Sequence, residues 1–242
     1  MGIHSIHKLN CRDVLRNPSY LSLVAITLLV PLNSIIQIAH NNTGSAGYVA
    51  VYIVLILNLA VFFFLNMLTV SLIVIAEKTS GRCEYYLANK LELARLTRTF
   101  STSAYLLCMG PVLVFNLLAI GYAICANQKV LLELYLSIPF LWFAAAFIIF
   151  TYAATNMLTE LSMLSKSPER IRTYLSVSAV VFTFTATLPG AFSRKLGFTP
   201  GGSSIVWIIG ATLLVLAWVC ALLRYSWKSK LTNEVVVLSY KQ

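Results

Sequence analysis

Acidic residues are scarce in this chain: eight Asp and Glu in 242 residues, with charged residues of every kind at only 11%. Soluble domains carry about 25% charged and about 45–50% apolar residues. Here the hydrophobic share is 59% and the mean hydropathy +0.81, more Leu, Ile, Val and Phe than a soluble core of this size could keep from water. The five cysteines (Cys11, Cys83, Cys108, Cys125, Cys220) stand singly, with no CxxC and no clustering with His. That pattern excludes a disulfide framework and a cysteine-based metal site, and Cys108 and Cys220 read as small buried hydrophobes. His4, His7 and His40 have no metal-ligand company.

Other absences bear on chemistry. The sequence has no GxSxG, no HExxH and no Gly-rich loop ending in Gly-Lys-Ser/Thr, so neither catalysis nor a nucleotide site of its own is expected. No Asp, Glu, Lys, Arg or His lies near the middle of any apolar run. Ionisable groups inside a membrane mark proton relays, ion sites and gating charges, and their absence argues against a proton-coupled carrier, a pump with its own carboxylates or a voltage sensor. The N-terminus lacks the apolar core and small-residue cleavage site of a signal peptide, and Ile6 stands where N-myristoylation requires Ser or Thr.

What is present is apolar runs of membrane-spanning length. Crossing about 30 Å of hydrocarbon takes about 20 apolar residues in a helix. Six runs qualify, at 19–39, 48–76, 104–126, 133–156, 173–190 and 204–223; backbone groups in lipid need internal partners, so these are expected as helices. Pro111 and Pro139 are expected to kink the third and fourth. Fifteen of the 18 Lys and Arg fall on one side of this arrangement, leaving only Lys129, Arg194 and Lys195 on the other. The positive-inside rule then places both termini in the cytoplasm. The net charge of +10 becomes a topology signal that also touches anionic lipid headgroups, and no nucleic-acid partner is expected. The expectation is one all-α membrane domain over residues 1–242.

The longest polar stretch, residues 77–100, separates the second and third runs. Residues 82–99 contain no Gly or Pro and are rich in helix formers, so a moderately amphipathic helix is expected. Thr79 or Ser80 is the candidate cap, Cys83, Leu87, Leu91 and Ala94 form the apolar face, and Tyr86 and Leu93 widen it. Such a helix can be an interfacial connector or a docking site for a soluble partner. At the N-terminus, Ile3, Ile6, Leu9 and Val14 recur at roughly helical spacing, and Asn17 with Pro18 reads as the cap and first position of the next helix. Tyr20, Tyr48, Tyr105 and Trp227 read as interfacial anchors. Asn58, Asn66 and Asn116 lie inside spans, where an amide pairs with a neighbouring helix or lines a substrate path.

Glu77-x3-Gly81-x2-Glu84-x2-Leu87 resembles the motif that follows the second span in ABC-2 type transporter permeases, the membrane subunits of bacterial ABC exporters. The N-terminal amphipathic helix, the Pro- and Gly-punctuated "TATLPGAFSRKLGFTPGGSS" before the last span and the short tail "LTNEVVVLSYKQ" are similar to that family. Ala88-Asn89-Lys90 stands where many members carry Thr-Pro. The resemblance implies six spans, a cytoplasmic coupling helix and a re-entrant outer hairpin before the last span. It implies a coupling surface for an ATPase subunit built from Glu77, Gly81, Glu84, Tyr86, Leu87 and Lys90. Beside the resemblance, Asn58, Asn66 and Asn116 stand as candidates for a substrate path as well as for pairing between helices, and the apolar residues between the two Pro-Gly breaks make Pro189, Phe192, Leu196 and Phe198 the candidates for an outer gate. The chain would work as a pair of permeases, identical or not, with two ATPase subunits that hold the ATP and magnesium, in a bacterial cell membrane. The cargo would be hydrophobic or amphipathic, with a lean toward a peptide toxin, bacteriocin or drug. The alternatives are a six-span substrate-binding subunit of a vitamin importer, which needs no long coupling helix, and a membrane scaffold without a transport role.

Overall fold

The structure, a computed structural model, describes residues 3–40, 47–165 and 202–233, scattered positions between 167 and 181, and Val236. Among the described residues all regular structure is helical. Eight helices are described from end to end: α1 (Ile3–Leu15), α2 (Pro18–His40), α3 (Gly47–Thr79), α4 (Arg82–Ala88), α5 (Leu93–Cys125), α6 (Lys129–Tyr135), α7 (Ile138–Leu164) and α8 (Gly202–Lys228). Five of them (α2, α3, α5, α7 and α8) are long and apolar enough to cross a membrane, so this is a multi-pass membrane protein. Of the run expected at 173–190 only Thr173, Ser176, Val177, Val180 and Val181 are described, and Pro189, Phe192, Leu196 and Phe198 of the hairpin expected before the last span lie outside the described residues.

α3 is the axis of the bundle and the most buried span. Phe62 on α3 meets Phe147 on α7 edge to face at 5.9 Å and Tyr105 on α5 at 6.2 Å, and Phe63 meets Phe150 at 5.7 Å. Offset and edge-to-face aromatic pairs of this kind contribute about 0.5–1.5 kcal/mol each beyond their buried area. α3 and α5 have 33 residues each, about 50 Å of helix, so both outreach the hydrocarbon core.

α7 and α8 run parallel. Near their first turns Trp142 stacks on Trp207 at 5.3 Å, and near their last turns Arg224 pairs with Glu160 at 2.7 Å. Gly210 makes the close approach possible: a Cβ there would stand 2.5 Å from the Trp142 indole nitrogen.

The two prolines expected inside the third and fourth spans part ways. Pro139 sits in the first turn of α7 and opens the helix instead of kinking a span; the fourth span therefore runs 138–164, not 133–156, and residues 129–135 form the separate α6. A proline has no N–H to lose in a first turn, so it is well placed there. Pro111 does lie inside α5 and deprives the Leu107 carbonyl of its helical donor. The Tyr20 hydroxyl, from α2, donates to that carbonyl at 2.8 Å. Tyr20 is thus a buried repair of the proline defect rather than an interfacial anchor. Tyr20→Phe is expected to lower unfolding stability in detergent by about 1 kcal/mol, and in a Pro111→Ala background the loss should vanish, because the carbonyl regains its own N–H donor. An undiminished loss in that background would place the effect elsewhere.

Candidate functional site

Most charged residues of the described chain gather at one end of the bundle, where α1, α4, the start of α5 and the last turns of α3, α7 and α8 meet; Lys129 and Glu133 on α6 stand apart. The Asn17 side chain accepts from the Ser19 N–H at 2.9 Å, so Asn17 caps α2 as its sequence context predicts. That turn holds α1 against the bundle: Ile6 and Val14 are buried, and His7 Nδ1 lies 2.7 Å from Ser103 Oγ on α5. Cys11 is not clear of histidine, since its sulfur lies 3.9 Å from His7 Nε2. Among the described residues no three His, Cys, Asp or Glu gather where they could hold a metal.

The polar stretch is built differently from the single amphipathic helix expected over 82–99. α3 continues to Thr79, Gly81 turns the chain with φ 71, and α4 lasts seven residues. Gly81 also serves as the N-cap of α4, with no side-chain cap from Thr79 or Ser80. A positive φ is cheap only for glycine, which is why this position divides the two helices. α4 then ends in a Schellman turn: the Lys90 N–H donates to Leu87, the Leu91 N–H to Tyr86, and Lys90 takes φ 62. The left-handed conformation falls on a lysine, so no glycine betrays the break in the sequence. The interruption shifts the helical phase. Cys83, Tyr86 and Leu93 are buried as expected, while Ala94 is exposed.

An ion cluster fastens α4 down. One Arg82 Nη1 lies 3.3 Å from Asp13 Oδ2 on α1 and 3.4 Å from Glu77 Oε1 on α3, while Arg82 Nε donates to Ser80 Oγ at 3.0 Å. Burial works against the Arg82 charge, but the Glu77 and Asp13 carboxylates outweigh it and push its pKa up. Next to Glu77, Lys78 donates to the carbonyls of Met163 and Ser165. Those are end-of-helix acceptors that α7 cannot satisfy itself, and a cation there also meets the negative end of the helix dipole. Glu160 and Arg224 complete the set by joining α7 to α8. Neighbouring charged side chains of α3 thus hold α1 and α4 on one flank and α7 on the other.

These positions sort the six coupling residues expected from the sequence. Glu77 is 2% exposed and Tyr86 4%, so both face inward and hold the helix in place. Gly81 is the hinge, Glu84 and Leu87 are half-buried, and Lys90 is exposed. The outward surface of the segment consists of Tyr85, which is 60% exposed, with Ala88, Asn89, Lys90 and the Glu92–Arg95 pair at 2.9 Å. Sequence reasoning missed Tyr85. Its signal was there, an aromatic one residue out of phase with the apolar face.

Burial pushes the Cys83 thiol up from 9.0 to about 12, with the Glu77 carboxylate adding to it. At pH 8 its thiolate fraction falls about a thousandfold below that of an ordinary cysteine, and the thiolate is the reacting species. Maleimide at pH 8 is therefore expected to modify the exposed Cys125 in the folded protein and leave Cys83 untouched, as read by peptide mass mapping. Rapid modification of Cys83 would mean that α4 leaves its seat.

The three asparagines of the expected substrate path are all paired across helices. Asn58 and Asn116 exchange amide hydrogen bonds, at 2.6 and 3.3 Å, and the Tyr135 hydroxyl from α6 donates to Asn116 at 3.1 Å. Asn66 accepts from Thr155 at 3.4 Å and its Nδ2 has no partner. Comparison with known proteins returns no match: no family model fits the chain, and no curated protein and no solved structure is similar to it.

Proposed function

We propose that this chain is the membrane-spanning permease subunit of an ATP-driven exporter of the ABC-2 type, with the α4 segment as the surface on which the ATPase subunit bears. The observation that carries the reading is the fixation of α4. A seven-residue helix outside the spans would by itself be marginal, yet here it is tied by one guanidinium to α1 and α3. A push on its outward face reaches the core helix through Glu77, and α7 through the adjoining Lys78. A loose interfacial connector would need no such ties.

Six crossings are part of the proposal. α7 and α8 are parallel, so the chain has to recross the bilayer between Ser165 and Gly202, and the apolar run 173–190 is the segment of suitable length. With six crossings both termini lie on the side where the basic residues concentrate, the cytoplasm of a bacterial cell. The sequence carries no phosphate-binding loop, so ATP and magnesium belong to a partner pair of ATPase subunits, and a second permease chain completes the pathway. The cargo is a hydrophobic or amphipathic molecule, with peptide toxins or drugs the favoured class. The test is purification of the tagged chain from its native membrane. A nucleotide-binding ATPase should elute with it and hydrolyse ATP faster when the permease is present; elution without any ATPase would sink the exporter reading.

A further inference from the structure

A cavity of about 170 Å³ opens among α1, α3 and α4, lined by Asn10, Asp13, Val14, Asn17, Leu72, Ile73, Ala76, Glu77 and Arg82. It has room for about five waters, or a group of that bulk. Two of its side chains are more than nine-tenths buried and incompletely paired: the Asn10 amide nitrogen and the Glu77 Oε2 oxygen have no hydrogen-bond partner. Their needs are opposite, since Asn10 Nδ2 can only donate and the Glu77 carboxylate can only accept. Orphans of this kind are rare because each buried, unpaired polar atom carries a desolvation cost.

The remaining lining narrows the chemistry of an occupant. The ionised groups facing the cavity are two carboxylates and one guanidinium, so one negative charge is left over. Arg12, 3.9 Å from Asp13, is more than half exposed and does not line the space. Beyond the polar end, Val14 of α1 and Leu72, Ile73 and Ala76 of α3 form an apolar wall, with Leu72 partly buried and Ala76 exposed. Exposed Lys8 and Arg12 on α1 and Arg16 in the turn after it recur every four residues, a stripe suited to the phosphates of a membrane surface.

We propose that this cavity binds the headgroup of a membrane lipid that carries a primary ammonium next to its phosphate. The ammonium donates to Glu77 Oε2 and offsets the surplus negative charge. The phosphate accepts from Asn10, and the glycerol end follows the apolar wall into the bilayer. A choline headgroup fails this site because its quaternary nitrogen has no N–H to donate. The proposal uses no ATPase, so it stands or falls apart from the exporter reading.

Native mass spectrometry of the full chain, released from nanodiscs of equimolar phosphatidylethanolamine and phosphatidylcholine, tests it. Retained ethanolamine lipid should exceed choline lipid by about tenfold, the range of one charge-assisted hydrogen bond. Glu77→Gln, which removes the surplus charge and the ammonium's ionic acceptor, should abolish the preference, whereas Asn10→Leu, which removes the donor to the phosphate that both lipids share, should lower the retention of both. Equal retention of the two lipids by the unaltered chain, a preference that survives Glu77→Gln, or retention unchanged by Asn10→Leu overturns the proposal. So does a thermal shift with free ethanolamine as large as that with the lipid, since the site would then select a soluble amine.

Discussion

Arg82→Leu is expected to lower the unfolding free energy of the purified chain by about 2–3 kcal/mol. Removing one partner of a buried ion pair strands the other, at a cost of about 3–5 kcal/mol when both are fully enclosed. Here Glu77 is enclosed and Arg82 is 33% exposed, so the cost should fall below that range. The charge on Glu77, rather than lost packing, should dominate. Glu77→Gln in the Arg82→Leu background is therefore expected to recover more than half of the loss, because a neutral amide needs no counter-ion. Denaturation in detergent, followed by helical circular dichroism, reads both effects. If the double variant is as unstable as Arg82→Leu alone, the cluster is not held by charge. An Arg82→Lys variant should recover part of the stability but not all of it, since one ammonium cannot match the planar fork that reaches Asp13 and Glu77 from the same side chain.

Gly210→Leu is expected to cost about 3 kcal/mol, at the upper end of overpacking effects. The Trp142 ring occupies the space that even a Cβ would need, and its movement would disturb the stack on Trp207 and the contact of α7 with α8. Small residues at helix contacts matter more in membranes, where association rests on close packing rather than on hydrophobic driving force. By the same reasoning Gly110, whose Cβ would meet nothing within 4 Å, should accept alanine with little change or a slight gain. The comparison of the two glycines is the measurement: a steep loss at 210 and none at 110, in the same denaturation experiment. Equal effects would mean that α7 and α8 are not in close contact.

Much of this architecture was readable from residue patterns, and the exceptions have physical causes. Three spans, at 19–39, 48–76 and 204–223, follow from hydropathy within a few residues at most boundaries, because in lipid the apolar run and the helix coincide. The Asn17–Pro18 start of α2 followed from side-chain chemistry that leaves few alternatives. The expected pairing of intramembrane amides fits Asn58 and Asn116, which have no water to turn to. The third span was placed late, at 104 rather than Leu93, because Thr97, Thr99, Ser101 and Ser103 look polar but bury their hydroxyls. Thr97, Thr99 and Ser103 bond to carbonyls four residues back, and Ser101 pairs with Asn156. The break at Lys90 was invisible since only backbone hydrogen bonds reveal it. Glu77 and Tyr86 were expected on a docking surface, yet a carboxylate at the end of a long apolar helix turns inward when an arginine five residues on can meet it. Which way a motif residue faces depends on partners distant in sequence, here Asp13.

The central claim is that the outward face of α4 bears on an ATPase. A photo-crosslinking residue at Tyr85 tests it most directly, with one at Leu117, 68% exposed in the lipid-facing part of α5, as control. In cells that express the chain with its native partners, irradiation should join position 85 to a nucleotide-binding subunit and position 117 to none. No adduct from position 85, or equal adducts from both positions, would contradict the account.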